Sequence, residues 1–241
     1  MSALLCAPLG ACTATPAGTG TGGLTTVSTT RLCPDTGTAR EDAADLVACI
    51  STRASQYWTA QIGQAVDRLI VVAPDPDTVP EECRAFLEFG TAFFCPGDAT
   101  VYITDTALDR DARVFGDQLP YAIAATVAHE FGHVVQHLVD QPGSNRGVTD
   151  AESRAFEQQA DCLAGVWVRH ATRLGQVNPI AFRAAFERQL RIIHSLPVPV
   201  ALDGYDETVS HGTVEQRMVA FDSGVTDGSG RSCNLVGLDG G

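Results

Sequence analysis

A chain of 241 residues is long enough for one sizeable core, or for a core that carries an unstructured arm. A formal net charge of −13 and a pI near 4.7 exclude nucleic acid and an anionic membrane surface as electrostatic partners. Eight cysteines with no C-x-x-C pair exclude a zinc ribbon or a thioredoxin-type site, and read as disulfides of an oxidising compartment.

The chain opens with an unusual export signal. MSALLCAPLGAC has no positive n-region and only a short apolar stretch, yet Leu9-Gly10-Ala11-Cys12 fits a bacterial lipoprotein cleavage site with Cys12 as the lipidated residue. If Cys6 is removed with the leader and Cys12 is lipidated, six cysteines remain, enough for three bridges. From Thr13 to about Arg40 the composition is rich in Thr, Gly and Pro, as suits a tether holding a domain off a membrane. Residues 1–40 are therefore read as export signal and tether, and residues 41–241 as one extracytoplasmic domain.

Folding is expected from about Glu41. Ala43, Leu46, Ile50, Trp58 and Ile62 fall near one helical stripe, with acidic residues in the first turn. Arg68–Val72 reads as a short buried strand, and Phe93–Thr104 as strand, Pro-Gly turn and strand. Together these predict a small sheet, antiparallel in part. A helix over about Thr106–Gln118 follows, and then Leu119–Asp140, a long helix with a nearly continuous apolar coat. Thr149–Gly175, Asn178–His194 and Thr213–Phe221 complete the helices, the last opened by a T-x-x-Q capping box at Thr213 and Gln216. The fold class is α+β, mostly helical, with the small sheet beside the long helix.

That long helix carries His129, Glu130 and His133 as H-E-x-x-H. Histidines four apart lie about 6 Å apart along one helical face, where both reach a single Zn²⁺. Glu130 is placed to touch a water on that ion. Gly132, in mid-helix, costs about 1 kcal/mol against Ala and so calls for a reason, such as a backbone packed close beside the metal. Two histidines leave a catalytic zinc one protein ligand short. A third histidine six residues on would define a metzincin, but that position is Val139. In EQQAD, Glu157 is expected as the third ligand and Asp161 as a hydrogen-bond partner for a ligating imidazole. His137 is read as a polar partner off the site, and His170 and His194 as surface or structural residues.

AHEFGHVVQH, EQQADCLAGVW, FFCPGDATVYI and HGTVEQR together resemble the bacterial neutral zinc metallopeptidases, in the family's order, over roughly Asp42 to Cys233. The resemblance implies a zincin-like fold, zinc held by His129, His133 and Glu157, and Glu130 as the catalytic base. It also implies bridged cysteines around the strand pair and after the last helix. Pairings Cys33–Cys49, Cys83–Cys95 and Cys162–Cys233 are expected, from among the 15 that six cysteines allow. One departure is Phe93-Phe94 before Cys95, where the family tends to have a tyrosine.

The chemistry expected is hydrolysis of an extended peptide, with zinc acidifying a water and polarising the carbonyl, and Glu130 moving the proton. His211, just outside the last helix, is the preferred oxyanion donor, and Tyr121 a poorer one. Two rival readings are a catalytically inert zinc-binding surface lipoprotein, used as scaffold or metal carrier, and a hydrolase of cell-wall peptide crosslinks. An intact Glu130 speaks against the first and an acidic surface against the second.

Overall fold

A computed structural model describes residues 32–33, 36–66, 70–139, 149–196 and 206–235. Cys12 and most of the expected tether lie outside the described residues, as does the end of the long helix at Asp140. Within the tether as read from sequence, Leu32 and Cys33 are already buried in the main core.

The fold is α+β, mostly helical, with a small three-stranded mixed sheet beside the central helices. α1 (Ala43–Ile62) buries Leu46, Ile50 and Trp58 and ends at Gly63 in the left-handed region. Strands β1 (Ile70–Val72), β2 (Ala92–Cys95) and β3 (Thr100–Ile103) follow, in the spatial order β1-β3-β2. β1 runs parallel to β3, whereas β2 pairs antiparallel with it, Phe93 opposite Tyr102 and Phe94 opposite Val101. Side chains alternate across such a strand pair. Val101 and Ile103 accordingly enter the main core, while Phe93, Cys95 and Tyr102 form a smaller cluster with Val79 and Cys83. That outer face is covered by a 3₁₀ segment, Glu81–Phe89, clipped to β2 by the Cys83–Cys95 disulfide. Sequence periodicity does not reveal this segment, because its turns are tighter than 3.6 residues.

The remaining helices are α2 (Asp105–Phe115), α3 (Leu119–Leu138), α4 (Asp150–Arg173), α5 (Pro179–Ile193), the single turn α6 (Glu207–Ser210) and α7 (Val214–Asp227). Their starts are set locally. Thr104, Thr149, Asn178 and Thr213 each accept a backbone N–H at a helix entrance, and Thr149/Glu152 and Thr213/Gln216 close capping boxes. α3 is the centre of the molecule, packed by α1, α4, α5, α2 and β2.

The last helix is longer than its sequence suggests. Ser223-Gly224 after Phe221 reads as a stop, yet α7 continues to Asp227 and ends at left-handed Gly228. Gly224 is there for contact. A Cβ on it would overlap the Cys162 carbonyl of α4, and one on Gly165 of α4 would overlap the Phe221 carbonyl of α7. The two glycines let the helix backbones touch. Beyond α7, a 3₁₀ turn at Gly230–Cys233 is joined to α4 by the Cys162–Cys233 disulfide, while Cys33–Cys49 ties the amino-terminal segment to α1.

Because neither backbone can yield cheaply, Gly224→Ala is expected to cost about 1–3 kcal/mol through overpacking. Denaturant unfolding of the two proteins measures this, and an unchanged midpoint would show that α4 and α7 can slide apart freely.

Candidate metal centre

Helix α3 sets His129 and His133 one turn apart, and α4 sets Glu157 across from them, with one ligand atom from each inside a 4.8 Å cluster. Nε2 of His129 and of His133 stand 3.2 and 3.4 Å from Glu157 Oε2. At those distances Oε2 still makes no well-angled hydrogen bond among the described residues. Three donors that face a common point rather than one another are what a cation requires. Two imidazoles and one carboxylate also match the ligand chemistry of a catalytic zinc site.

The crossing of α3 and α4 fixes this geometry. A Cβ at Gly132 would lie 2.7 Å from Ala160 Cα and 2.8 Å from its carbonyl oxygen, so glycine alone lets α4 come close enough. The mid-helix glycine thus has the backbone neighbour that its cost called for.

Each histidine is held from behind. His129 Nδ1 is 2.8 Å from Asp161 Oδ1, and Asp161, wholly buried, receives Arg217 of α7 through Nε at 2.8 Å and Nη2 at 2.9 Å. His133 Nδ1 is 2.8 Å from Gln136 Oε1. With Nδ1 as the donor in both pairs, each Nε2 is left to face Glu157. Gln136 and Arg217 were not picked out from the sequence, although both occupy core-facing helical positions.

Charge is balanced tightly here. Burial alone would raise the Glu157 carboxyl, but the His211 and His133 charges and the adjoining imidazole nitrogens hold it well below the ordinary range. Asp161 is likewise lowered against its burial, by Arg217 and His129. Burial opposes charge on His129, yet Asp161 and Glu157 push that imidazole up to about 10. Glu130 is raised by burial, against the His129 and His133 charges, and its Oε2 has no hydrogen-bond partner among the described residues.

His129, Glu130, His133 and Glu157 line a cleft of about 430 Å³. Edge strand β2 contributes Ala92–Phe94, α5 contributes Phe186 and Leu190, and His211 lies at the rim. His211 Nε2 is 3.5 Å from Glu157 Oε1, and its Nδ1 is 2.9 Å from Ser210 Oγ. Other histidines stand apart. His137 packs on Phe94, His170 on Tyr57, and His194 caps α5. Tyr121 packs against the core away from the cleft.

An α+β fold with H-E-x-x-H on a buried helix and a glutamate on the next presents two imidazoles and a carboxylate that could hold a metal ion. The chain belongs to the family described as "Putative neutral zinc metallopeptidase", whose model matches residues 25–236. It is 29% identical to "Uncharacterized protein YpfJ" of Escherichia coli K12 over 168 residues, 64% of this chain and 57% of that protein. It is 28% identical to "Uncharacterized protein Rv2575" of Mycobacterium tuberculosis H37Rv over 162 residues, 59% of this chain and 54% of that protein. The chain thus spans little more than half the length of these relatives. No solved structure matches it.

The Asp161–Arg217 pair gives a stability prediction. Arg217→Met removes the larger of the two charges that offset a buried carboxylate, leaving only His129 beside it, and is expected to cost the metal-free protein about 3 kcal/mol at neutral pH. Asp161 has a lowered carboxyl in the folded state. Its contribution is therefore complete above its unfolded value, about pH 4, and is lost as pH falls through the lower folded value. Unfolding measured across this range should show the gap between the two proteins narrowing in acid. A gap independent of pH would remove Asp161 as its cause.

Proposed function

We propose that this chain is a zinc-dependent peptidase that hydrolyses extended peptide outside the cytoplasm. The observation that carries the reading is the buried Glu130 carboxyl, in the same cleft as the three-donor cluster. His129, His133 and Glu157 would hold the ion, and a bound zinc supplies Lewis acidity towards water and a carbonyl oxygen.

The chain's own residues supply the rest. An extended peptide adds to the edge of β2 through main-chain hydrogen bonds, with its side chains alternating into the cleft. Glu130, its proton affinity raised by burial, takes a proton from the attacking water and returns it to the leaving amine. His211 donates from Nε2 to the developing oxyanion. For a neutral imidazole to do this, Nδ1 must accept from the Ser210 hydroxyl. Phe94 packs on His137 and supplies no hydroxyl, so this donor role falls to His211.

Three disulfides suit an extracytoplasmic setting. Among the described residues no helix is long and apolar enough to cross a membrane. Attachment through lipidated Cys12 is proposed on the sequence motif alone.

The test compares zinc content and degradation of an unstructured protein. Wild type is expected to bind one zinc and to lose activity to a chelator and below about pH 6, as imidazoles take up protons. Glu130→Gln should keep the metal and lose about 10²–10⁴ in rate; equal rates in excess chelator would end the metallopeptidase reading. An inert metal carrier would instead bind zinc and degrade nothing in either form.

For His211→Ala, full zinc content is expected with kcat down about 10²–10³ and KM little changed. Loss of zinc would make His211 a ligand, and an unaltered kcat would remove it from the mechanism.

A further inference from the structure

Behind His133 the hydrogen bonds do not stop at Gln136. Gln136 is wholly buried, and its Nε2 donates to the Phe156 carbonyl at 2.8 Å and to Gln159 Oε1 at 2.8 Å. Gln159 Nε2 in turn donates to the Cys233 carbonyl at 2.8 Å. A backbone carbonyl can only accept, so these two carbonyls fix the direction of the whole chain. Phe156 obliges Gln136 to turn its NH₂ away from the metal centre. Cys233 obliges Gln159 to present its oxygen to Gln136. Gln136 Oε1 therefore faces His133 Nδ1 as an acceptor, and the imidazole must donate from Nδ1 and keep Nε2 unprotonated for the ion.

The far end of the chain is held in place. Cys233 is buried, bonded to Cys162 of α4, and lies in the 3₁₀ turn whose Gly230 carbonyl accepts from Leu235 N at 3.1 Å. We propose that Gln136 and Gln159 are positioning residues that set the tautomer and aim of His133, and that the Cys162–Cys233 disulfide anchors them by fixing the Cys233 carbonyl. This rests on the zinc reading above, and extends the metal centre to the carboxy-terminal turn, some seventy residues along the chain from α4's cysteine.

The two ligating histidines are thus supported differently. His129 is backed by a carboxylate that Arg217 neutralises, whereas His133 is backed by a neutral amide relay. Only the second depends on the disulfide.

The test is the zinc affinity of the full chain, read by competition with a chromophoric chelator, beside thermal melting of each metal-free protein. Gln159→Leu is expected to weaken zinc by about 10–100-fold, as loss of an outer hydrogen-bond partner does, with little change in melting. Gln136→Leu should do the same or worse, and Gln136→Glu, which still accepts from His133 Nδ1 but sets its second oxygen against the Phe156 carbonyl and Gln159 Oε1, should recover only part of the affinity. Simple packing would favour Leu no less than Glu. Removing the disulfide by the double substitution Cys162→Ser and Cys233→Ser should weaken zinc to a similar degree, with Gln159→Leu adding little on that background.

Wild-type affinity in Gln159→Leu and Gln136→Leu would overturn the relay. Full additivity with the cysteine substitutions would overturn the anchor. A wild type that binds no zinc would overturn the metallopeptidase reading itself, which separates that failure from failure of the relay.

Discussion

The close crossing of α3 over α4 at Gly132 and Ala160 is the constraint on which the rest of the centre depends. His133 follows Gly132 directly, and Glu157 precedes Ala160 by less than one turn of α4. Backbones that nearly touch there bring the carboxylate across to both imidazoles. A larger residue at either position would hold the helices apart by about the thickness of a methyl group, more than a metal–ligand bond can absorb. The same device recurs one helix further on. Gly165 and Gly224 press α4 against α7, and the result is a guanidinium delivered to a fully buried carboxylate. Three helices are thus set by backbone contact, and the polar side chains between them inherit that precision.

Much of this was legible locally. H-E-x-x-H, the E-x-x-x-D spacing, the capping boxes and the apolar coat of α3 all act within one helix, so their meaning survives without the fold. The sheet was legible in outline, since turn residues and β-branched runs bound it, although the 3₁₀ cover over it was not. What escaped notice were partners contributed by other elements. Arg217 falls on the same stripe as Val214, Met218 and Phe221, and a charged residue on a buried stripe demands a buried counter-charge. Gln136 follows His133 by three on a helix buried almost all round, which puts it on the ligand face. Both signals were present in the periodicity. Gln159 offers no such signal, because its partner is a carbonyl in the distant tail.

The rival reading of an inert metal carrier has to account for Glu130. A buried carboxyl with an oxygen that lacks a partner among the described residues costs about 1–3 kcal/mol or more. It does not belong to the three-donor cluster, and it faces the same cleft. A binding site would be more stable with an apolar residue of similar volume there. Hydrolysis, by contrast, needs a group of raised proton affinity beside the attacked carbonyl, which is what burial makes of Glu130.

On the proposed hydrolytic reading, charge counting gives Arg217 a part as well. With a divalent ion bound, two neutral imidazoles and Glu157 would bring it one negative charge, which would leave one positive charge uncompensated inside a partly desolvated cleft. Asp161 would sit one imidazole behind such an ion, close enough to offset that remainder if it stood alone. Its bidentate pairing with Arg217 returns the charge of the outer pair to zero while leaving Oδ1 to accept from His129. Gln136 reaches the same end at His133 by being an amide, with no charge to cancel. Both histidines are therefore oriented by strong acceptors, yet neither acceptor drains the field that a scissile carbonyl would feel. A second unpaired carboxylate in place of Gln136 would hold His133 as firmly, and would leave the centre better suited to keeping a metal than to using one.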